Sequence, residues 1–354
     1  MGRGLIDRRQ FLSAGAGAAF LCTIGGETFS VGTPRDAAKA DAAARRVARP
    51  RQAVGEPVDT LRFPTPEPAP GGVRREHWIQ ARTVTWDIAP TGRDDWHGRS
   101  VGQPRAYKAV VYQEMTPGFA KAAGPAAIPG PTLHAEVGDT LVVHFRNNAR
   151  ALRQALTMHP HGVRYTPDYD GTYLGEHTRA GGFVAPGEEF TYTWEAVPES
   201  VGAWPYHDHG PNHTLNGLRG LFGCIVVRER GAPAPAVEVP LFLHQLPPAV
   251  TGLDRAFDCV NGRAFAGNTP TVRARVGQDV ALHVLGMDGA FHDFHVHGHR
   301  WRSATGALVD NETVGPAQSI TARWTEDNPG RWLYHCHVFS HQNAGMAGWL
   351  LVEP

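Results

Sequence analysis

The stretch Tyr334-His335-Cys336-His337-Val338-Phe339-Ser340-His341 combines one cysteine with three histidines, and Met346 follows it five residues after His341. Successive side chains of a β-strand point to opposite faces, so His335 and His337 share one face and Cys336 occupies the other. One tripeptide can therefore contact two metal centres. Cys336, His341 and Met346 supply three parts of a His₂Cys site with an axial Met, the ligand set of electron-transferring blue copper.

Zinc is the alternative metal for this stretch, because zinc also takes Cys and His ligands. Met346 favours copper, since a thioether is a soft ligand that copper sites use and zinc sites rarely do. The second imidazole must come from further upstream.

An internal repeat predicts the architecture. Short β-branched and aromatic runs punctuated by Gly and Pro begin near His77, which predicts an all-β fold of sandwich or barrel type. We expect two copies of one β-domain, over residues 75–230 and 231–354, joined by a linker from Arg228 to Val237. The matching segments are Pro131–Asp139 with Pro270–Gln278, Met158–Arg164 with Phe294–Arg300, and Trp204–His209 with Trp332–His337.

The two copies differ at the positions that would hold blue copper. Asp208 stands in the first copy where Cys336 stands in the second, and Leu156 and Leu218 stand opposite His292 and Met346. The first domain is therefore expected to lack a blue copper site, and the second to accept electrons from a reductant.

Ten of the 19 histidines fall into four clusters, most of them H-x-H or H-x-x-H-x-H patterns. A single pair of this kind is explained equally well by surface or buried structural histidines. Clusters at corresponding places of a duplicated domain, one of them interrupted by Cys336, instead indicate a metal cluster held between two domains.

With these motifs the chain resembles the multicopper oxidases, and in particular the small two-domain bacterial laccases, over residues from about Trp78 to Val352. The resemblance implies two consecutive cupredoxin-like Greek-key β-sandwiches and four coppers per chain. It assigns the type 1 copper to His292, Cys336, His341 and Met346, the type 2 copper to His159 and His295, and the type 3 pair to His161, His207, His209, His297, His335 and His337.

Three further residues resemble functional positions of that family. Asp170 and Asp310 occupy places similar to the acidic residues of the family's proton and solvent routes, although Asp-Gly and Asp-Asn are also ordinary turn pairs. Tyr165 resembles a tyrosine held near the cluster as an auxiliary electron donor, and a packed aromatic is the alternative.

Charge and cysteine content limit the other possibilities. Lys plus Arg and Asp plus Glu are equal at 34 each, so no basic field for nucleic acid exists. Four cysteines in so long a chain do not form a disulfide framework, although a bridge between Cys224 and Cys259 stays open.

The N-terminus has the pattern of an export signal. Asp7-Arg8-Arg9-Gln10-Phe11-Leu12 is a twin-arginine pattern, and Ala38-Lys39-Ala40 is a candidate cleavage step, so we expect a signal peptide over 1–40. Residues 41–74, rich in Ala and Pro, are expected to form a poorly ordered arm. No later segment is long and apolar enough to span a membrane, so a secreted or cell-envelope protein is predicted.

The function expected from the resemblance is a laccase-type oxidation of phenols or aromatic amines coupled to reduction of O₂ to water. The alternative within the family is a metallo-oxidase acting on Fe(II), Mn(II) or Cu(I); the five scattered methionines disfavour Cu(I). Copper nitrite reductases and non-catalytic copper carriers leave most of the clustered histidines unexplained. A short linker between domains that each hold half of a cluster predicts a closed ring of chains with clusters at its subunit interfaces, and the resemblance to the small laccases implies a homotrimer.

Overall fold

A computed structural model describes residues 19–354, and its first elements form a small N-terminal unit. Strands β1 (Phe20–Ile24) and β2 (Glu27–Val31) pair as an antiparallel hairpin, and helix α1 spans Pro34–Ala44. The Thr33 side chain caps this helix by accepting from the Asp36 N–H at 3.2 Å. Buried Ala37, Ala40 and Ala44 follow each other at helical spacing, which gives α1 one apolar face for packing.

Part of the predicted signal peptide over 1–40 and the predicted arm over 41–74 pack against the rest of the chain in this structure, and removal of residues 1–40 on export stays a prediction. The twin-arginine pattern lies outside the described residues, but the Ala38-Lys39-Ala40 step lies within α1, where Ala40 is fully buried. Residues 46–73 follow an extended path along the first domain, held by the Arg49–Glu188 ion pair and by Thr65 Oγ1 3.1 Å from Tyr169 Oη. Local composition did not reveal these tertiary contacts.

The first domain is a sandwich of two four-stranded sheets with strand orders β10-β8-β3-β6 and β7-β12-β11-β9. Its core lies between the sheets and includes Val143, Tyr112, Ile225 and Tyr206. The elements are β3 (Arg74–Asp87), β4 (Arg93–Asp94), β5 (Arg99–Ser100), β6 (Ala106–Met115), β7 (Leu133–Glu136), β8 (Thr140–Asn147), β9 (His159–Pro160), β10 (Glu189–Glu195), β11 (Gly202–His207), α2 (His213–Leu218) and β12 (Phe222–Arg228).

The second domain has the same plan, with strand orders β14-β13-β16-β21 and β15-β23-β22-β17-β20. Val284, Phe294, Tyr334 and Leu350 lie in its core. The elements are β13 (Val237–Leu246), α3 (Pro248–Thr251), β14 (Phe257–Val260), β15 (Val272–Arg275), β16 (Asp279–Gly286), β17 (His292–Val296), β18 (Trp301–Arg302), β19 (Leu308–Val309), β20 (Asn311–Val314), β21 (Ser319–Thr325), β22 (Gly330–Cys336), α4 (Phe339–Asn343) and β23 (Ala347–Glu353).

Strand pairing repeats between the domains. Strand β8 runs parallel to β3 as β16 does to β13, and β12 runs parallel to β7 as β23 does to β15. Strand β11 pairs with β9 and β12 as β22 pairs with β17 and β23. The all-β fold of two β-sandwich domains predicted from the repeat is confirmed.

A shared hydrophobic cluster joins the two domains. Phe222 and Cys224 from β12 pack with Phe242 and Cys259 of the second domain, and the Trp86 indole N–H donates to the Gly262 carbonyl at 2.6 Å. Both cysteines are buried free thiols, so the bridge left open by the sequence does not form. The two domains of the chain therefore pack against each other through a common apolar interface.

Connections in the described residues include six short 3₁₀ helices, and no helix among residues 19–354 is both long and apolar enough to cross a membrane. The 3₁₀ helices are Pro57–Thr60, Pro117–Phe119, Pro167–Tyr169, Gly175–His177, Ala180–Gly182 and Pro198–Ser200.

Candidate metal centres

The predicted blue copper ligands converge at one end of the second domain. Cys336 ends β22 and His292 begins β17, while His341 lies in α4 and Met346 directly precedes β23. The Cys336 Sγ lies 3.6 Å from His341 Nδ1 and 4.0 Å from His292 Nδ1. Cys336, His292 and Met346 are fully buried, and the Met346 carbonyl accepts from the Cys336 N–H at 3.0 Å. Strand ends and one short helix thus bring together residues that are up to 54 positions apart in the sequence.

Hydrogen bonds prepare Cys336 for metal binding. Burial raises the pKa of its thiol, but hydrogen bonds from His292 and His341 outweigh burial and lower the pKa to about 6. The thiolate, which is the metal-binding form, is therefore accessible near neutral pH. His292 Nε2 lies 3.1 Å from Asp288 Oδ1, so this carboxylate accepts from Nε2 and leaves Nδ1 directed at the sulfur.

Four histidines of the first domain form a second group. His159 and His207 face each other across β9 and β11, and His161 Nε2 lies 3.0 Å from His207 Nε2. The His209 ring centroid lies 5.1 Å from that of His159. Backbone carbonyls accept from two of the Nδ1 atoms, Asp170 from His159 at 2.7 Å and Asp208 from His207 at 2.8 Å. Nε2 of each of these two rings is thereby left free to bind a metal.

The second domain repeats this group on β17 and β22. His295 and His335 face each other across the two strands, and His297 Nε2 lies 3.2 Å from His335 Nε2. The His337 ring centroid lies 5.6 Å from that of His295. The Asp310 carbonyl accepts from His295 Nδ1 at 2.6 Å and the Cys336 carbonyl accepts from His335 Nδ1 at 2.9 Å. These carbonyls are the partners of the ligand rings that the sequence could not identify.

Burial keeps several of these imidazoles neutral. It lowers the pKa values of His161, His209 and His335 to about 4 each, because the charged form loses hydration. Neutral imidazole is the form that binds metals, so both groups are ready for metal at neutral pH.

The two histidine groups remain separate within one chain. Among the described residues, each set of donor atoms close enough to share an ion comes from a single domain. His297 and His337 have exposed side chains, and the imidazoles of the first-domain group are partly exposed. Each group therefore presents an open side to solvent.

The other predicted site residues lie beside these groups. Asp170 Oδ1 is 3.2 Å from His159 Nδ1, and the Tyr165 ring packs edge-on against His159 with centroids 5.8 Å apart. Burial raises the pKa of Asp170, but hydrogen bonds from His159 and Thr172 outweigh it and lower the pKa. Asp310 occupies the equivalent place in the second domain with an exposed side chain. Proton transfer by Asp170 and Asp310 and electron donation by Tyr165 stay predictions.

Sequence reasoning missed several neighbours of the ligands. Asp288, four residues upstream of His292, accepts a hydrogen bond from its Nε2. This spacing could have suggested the Asp288–His292 pair. Trp96, on a first-domain loop, lies with its ring centroid 6.0 Å from that of His335. His213, which is outside the predicted ligand sets, stacks on His209 with ring centroids 4.4 Å apart. The Trp96 contact had no signal in the sequence, because it joins distant segments, whereas His213 is only four residues from His209.

The three groups fit copper by their donor chemistry. One combines a thiolate with two imidazoles, and the other two offer imidazoles alone, which suit copper in both oxidation states. In addition, His209 Nδ1 is buried without a hydrogen-bond partner among the described residues, as a nitrogen that binds a metal would be.

Comparisons with known families agree with this geometry. A family model described as multicopper oxidase matches residues 124–232, and a second model with the same description matches residues 242–354. Among curated proteins, the chain is similar to the ferroxidase HEPHL1 of Mus musculus, at 28% identity over 342 residues. That alignment covers 78% of this chain and 29% of the relative, so the chain spans under a third of the relative's length.

Solved structures show the same fold. One titled as a multicopper oxidase superposes with a TM-score of 0.63 at 24% identity, covering 89% of this chain and 96% of the other. The copper nitrite reductase of Nitrosomonas europaea superposes with a TM-score of 0.60 at 18% identity. The superposition covers 79% of this chain and 94% of the reductase chain. At these identities the likeness establishes the fold.

Proposed function

Because the chain belongs to the multicopper oxidase family, we propose that it is a laccase-type oxidase that takes single electrons from phenols or aromatic amines and reduces O₂ to water. The observation that carries the proposal is that β22 serves two ligand groups at once. Cys336 belongs to the buried group with His292 and His341, whereas His335 belongs to the histidine group with His295 and His297.

Copper held by these residues would supply a one-electron acceptor at Cys336 and an oxygen-reducing centre at the histidines. The assignment we propose is four coppers per chain, distributed as the family resemblance implies. The protein connects the two centres covalently, because His335 and His337 are the chain neighbours of Cys336. The Asp170 carboxylate lies 3.2 Å from His159 Nδ1, beside the group where reduced oxygen would take up protons, and we propose that it relays them.

We further propose that the oxygen-reducing centre forms between chains of a homotrimer. Two half-groups of four histidines, each open to solvent, would complete one another when the first domain of one chain faces the second domain of the next, and a closed ring satisfies every half-group. Exposed apolar side chains accompany the second-domain group: Phe339 is 68% exposed and its ring centroid lies 5.8 Å from that of His337. Such side chains are expected at an interface.

The rival reductants are metal ions, since relatives include ferroxidases, and the rival reaction is nitrite reduction, since a nitrite reductase shares the fold. The eight clustered histidines favour oxygen over nitrite, because oxygen reduction to water needs a centre that gathers four electrons. Leu218, Pro247 and Met287 line a cavity near the Cys336 group with carbon and sulfur surfaces, which favour an organic reductant over a hydrated metal ion.

The deciding experiment measures O₂ consumption by the copper-loaded protein with 2,6-dimethoxyphenol, Fe(II), Mn(II) and Cu(I), and nitrite consumption with a reduced dye. We expect one O₂ consumed per four molecules of phenol oxidised. Turnover of Fe(II) or Mn(II) without phenol turnover would replace the laccase-type proposal with a metallo-oxidase.

Export through the twin-arginine route is also proposed, from Arg8-Arg9 and the residues that follow. Fractionation of producing cells and the intact mass of the exported chain would show whether export occurs and where the chain is cut. Cytoplasmic retention of the folded enzyme would contradict it.

A further inference from the structure

Asp208 occupies in the first domain the position that Cys336 occupies in the second. Its side chain is fully buried, and its carboxylate accepts from the Thr157 N–H at 2.8 Å and from the Asn216 side chain at 3.1 Å. The Asp208 carbonyl also accepts from His207 Nδ1 at 2.8 Å. Hydrogen bonds thus surround the position that the predicted blue copper ligand takes in the other domain.

A buried polar network extends from Asp208 to the N-terminal unit. The Asn216 side chain also donates to the Gln154 side-chain oxygen at 3.3 Å, and the Gln154 side-chain nitrogen donates to Asp41 Oδ1 at 2.8 Å. Asp41 belongs to helix α1 and accepts two further hydrogen bonds of 2.8 Å from Arg219. All five side chains are buried, so their hydrogen bonds compete little with water and fix one arrangement.

The Asp41 carboxylate also holds both ends of helix α2. Asn212, the residue before α2, donates to Asp41 Oδ1 at 2.9 Å, and Arg219 is the residue after α2. The first residue of α2, His213, stacks on the ring of His209 with centroids 4.4 Å apart. Asp41 therefore fixes the helix that carries the stacking partner of a predicted metal ligand.

Thr157 supplies a second connection between the network and His209. While its N–H donates to the Asp208 carboxylate, its Oγ1 accepts from the His209 N–H at 2.9 Å. His207 and His209 are also the chain neighbours of Asp208. A displacement of the Asp208 carboxylate would therefore displace the backbone that carries two imidazoles of the first-domain group.

Helix α1 is itself held by both domains. Its buried face, which includes Ala40, lies in one hydrophobic cluster with Leu215 of α2 and Val250 of α3. Asp41 is thus presented to Arg219 from a rigid element, which is the condition for a side chain to position a distant group.

We propose that Asp41 is a positioning residue for the first-domain histidine group, acting through the buried network, and that the N-terminal unit therefore stays in the working enzyme. If an export signal is removed, the cut then lies before Phe20 and not at the predicted step after Ala40. The proposal does not depend on the reductant, because the network contacts the first-domain histidines and none of the residues that surround Cys336.

The test variant is Asp41→Asn, which removes the counter-charge of Arg219 and keeps the shape of the side chain. Its matched control is Asp139→Asn: Asp139 is also buried in the first domain and pairs with Arg75, and its other partners are backbone N–H groups outside the network. Each change removes a buried counter-charge and should lower the melting temperature by roughly 5 °C. Stability alone does not separate positioning from support of the fold.

The separating measurement is NMR of the histidine-labelled, copper-free full chain. The ring signals of His209 and His213 should shift in Asp41→Asn and keep their wild-type positions in Asp139→Asn. Asn216→Ala, which interrupts the network between Gln154 and Asp208, should shift the same signals, and the double variant should shift them by less than the sum, because both changes act on one network.

In the copper-loaded enzyme, Asp41→Asn should slow reoxidation by O₂ by about tenfold or more, since small displacements of reacting groups cost large factors in rate. The blue band should persist, and Asp139→Asn should reoxidise at the wild-type rate.

Unchanged His209 and His213 signals in a folded Asp41→Asn variant would reduce Asp41 to a stabilising residue and overturn the proposal. If that variant fails to fold, Arg219→Lys takes its place, because it keeps the charge and loses the two-point hydrogen bond; unchanged signals there would overturn the proposal equally. An active exported enzyme whose intact mass shows a chain beginning at Asp41 would overturn it as well.

Discussion

His335 and Cys336 are neighbours in β22, yet their side chains belong to different ligand groups. The Cys336 sulfur lies 3.6 Å from His341 Nδ1, whereas His335 Nε2 lies 3.2 Å from His297 Nε2 on the other side of the strand. The same pair is joined a second time, because His335 Nδ1 donates to the Cys336 carbonyl at 2.9 Å. A change at Cys336 thus affects one group directly and the other through the backbone.

Replacing Cys336 with Ser should abolish the blue absorption band and the oxidase activity while the chain stays folded. The fold depends on the two sandwich cores, and Ser keeps the shape of the buried side chain but removes the thiolate. Visible absorption and circular dichroism check this. Cys259→Ala, a buried cysteine outside the ligand groups, should keep its blue band; retained blue colour in Cys336→Ser would refute the assignment.

Replacing Met346 with Leu should have a smaller effect. The site should stay blue and its reduction potential should rise, because the axial group tunes the copper and does not hold it. Met346 is fully buried, and a Met-to-Leu exchange of similar volume costs less than about 1.5 kcal/mol of stability. Potentiometric titration measures the shift, and a colourless protein would contradict it.

Asp170→Asn should slow the oxygen half-reaction. Its backbone carbonyl still accepts from His159 Nδ1, so the imidazole keeps its orientation while the titratable carboxylate is lost. In stopped-flow measurements, reduction of the blue centre should be normal and reoxidation by O₂ should be slower. Asp168→Asn, two residues away and paired with Arg179, is the control. Slow reduction with normal reoxidation would place Asp170 on the reductant side.

Two inactive variants should restore one another if the oxygen-reducing centre lies between chains. His161→Ala damages the first-domain group and His337→Ala damages the second-domain group. Random trimers of equal amounts of both would keep about a quarter of their interfaces intact, so co-expressed chains should recover about a quarter of the wild-type rate. Light scattering of the mixed sample should give the mass of a trimer. Zero recovery, or a fully active monomer, would refute assembly across chains.

As the pH is lowered, the copper-free protein should begin to lose stability at a higher pH than titration of its carboxylates alone would cause. The folded-state pKa values of His161, His209 and His335 are lowered from 6.5 to about 4 by burial, so the unfolded chain binds more protons between these values. The part of the stability that depends on these three neutral imidazoles is therefore fully present above pH 6.5 and declines as the pH falls toward 4. Thermal unfolding across this range measures the decline.

His209→Gln should flatten that pH dependence, whereas His177→Gln, at an exposed histidine outside both groups, should leave it unchanged. A melting temperature that is constant or increases between pH 6.5 and 4 would show that these imidazoles are not buried neutral in solution.

Much of the fold and of the ligand set was predictable from the sequence, because both depend on local periodicity and on a repeat. Alternation along a strand places His335 and Cys336 on opposite faces, and the duplicated segments align β9 and β11 with β17 and β22. Copies of one domain keep the same register, so corresponding histidines occupy corresponding places.

Only the tertiary structure decided what surrounds these ligands. Trp96 beside His335, and Phe20 in one hydrophobic cluster with Leu215, join segments that lie far apart in the chain and share no sequence pattern. The N-terminal segment is the plainest case of contacts that the local sequence did not predict. By itself it resembles a leader and an extended arm, but Asp41 finds Arg219 178 residues away, and burial of that ion pair together with the alanine face of α1 makes the segment part of the fold.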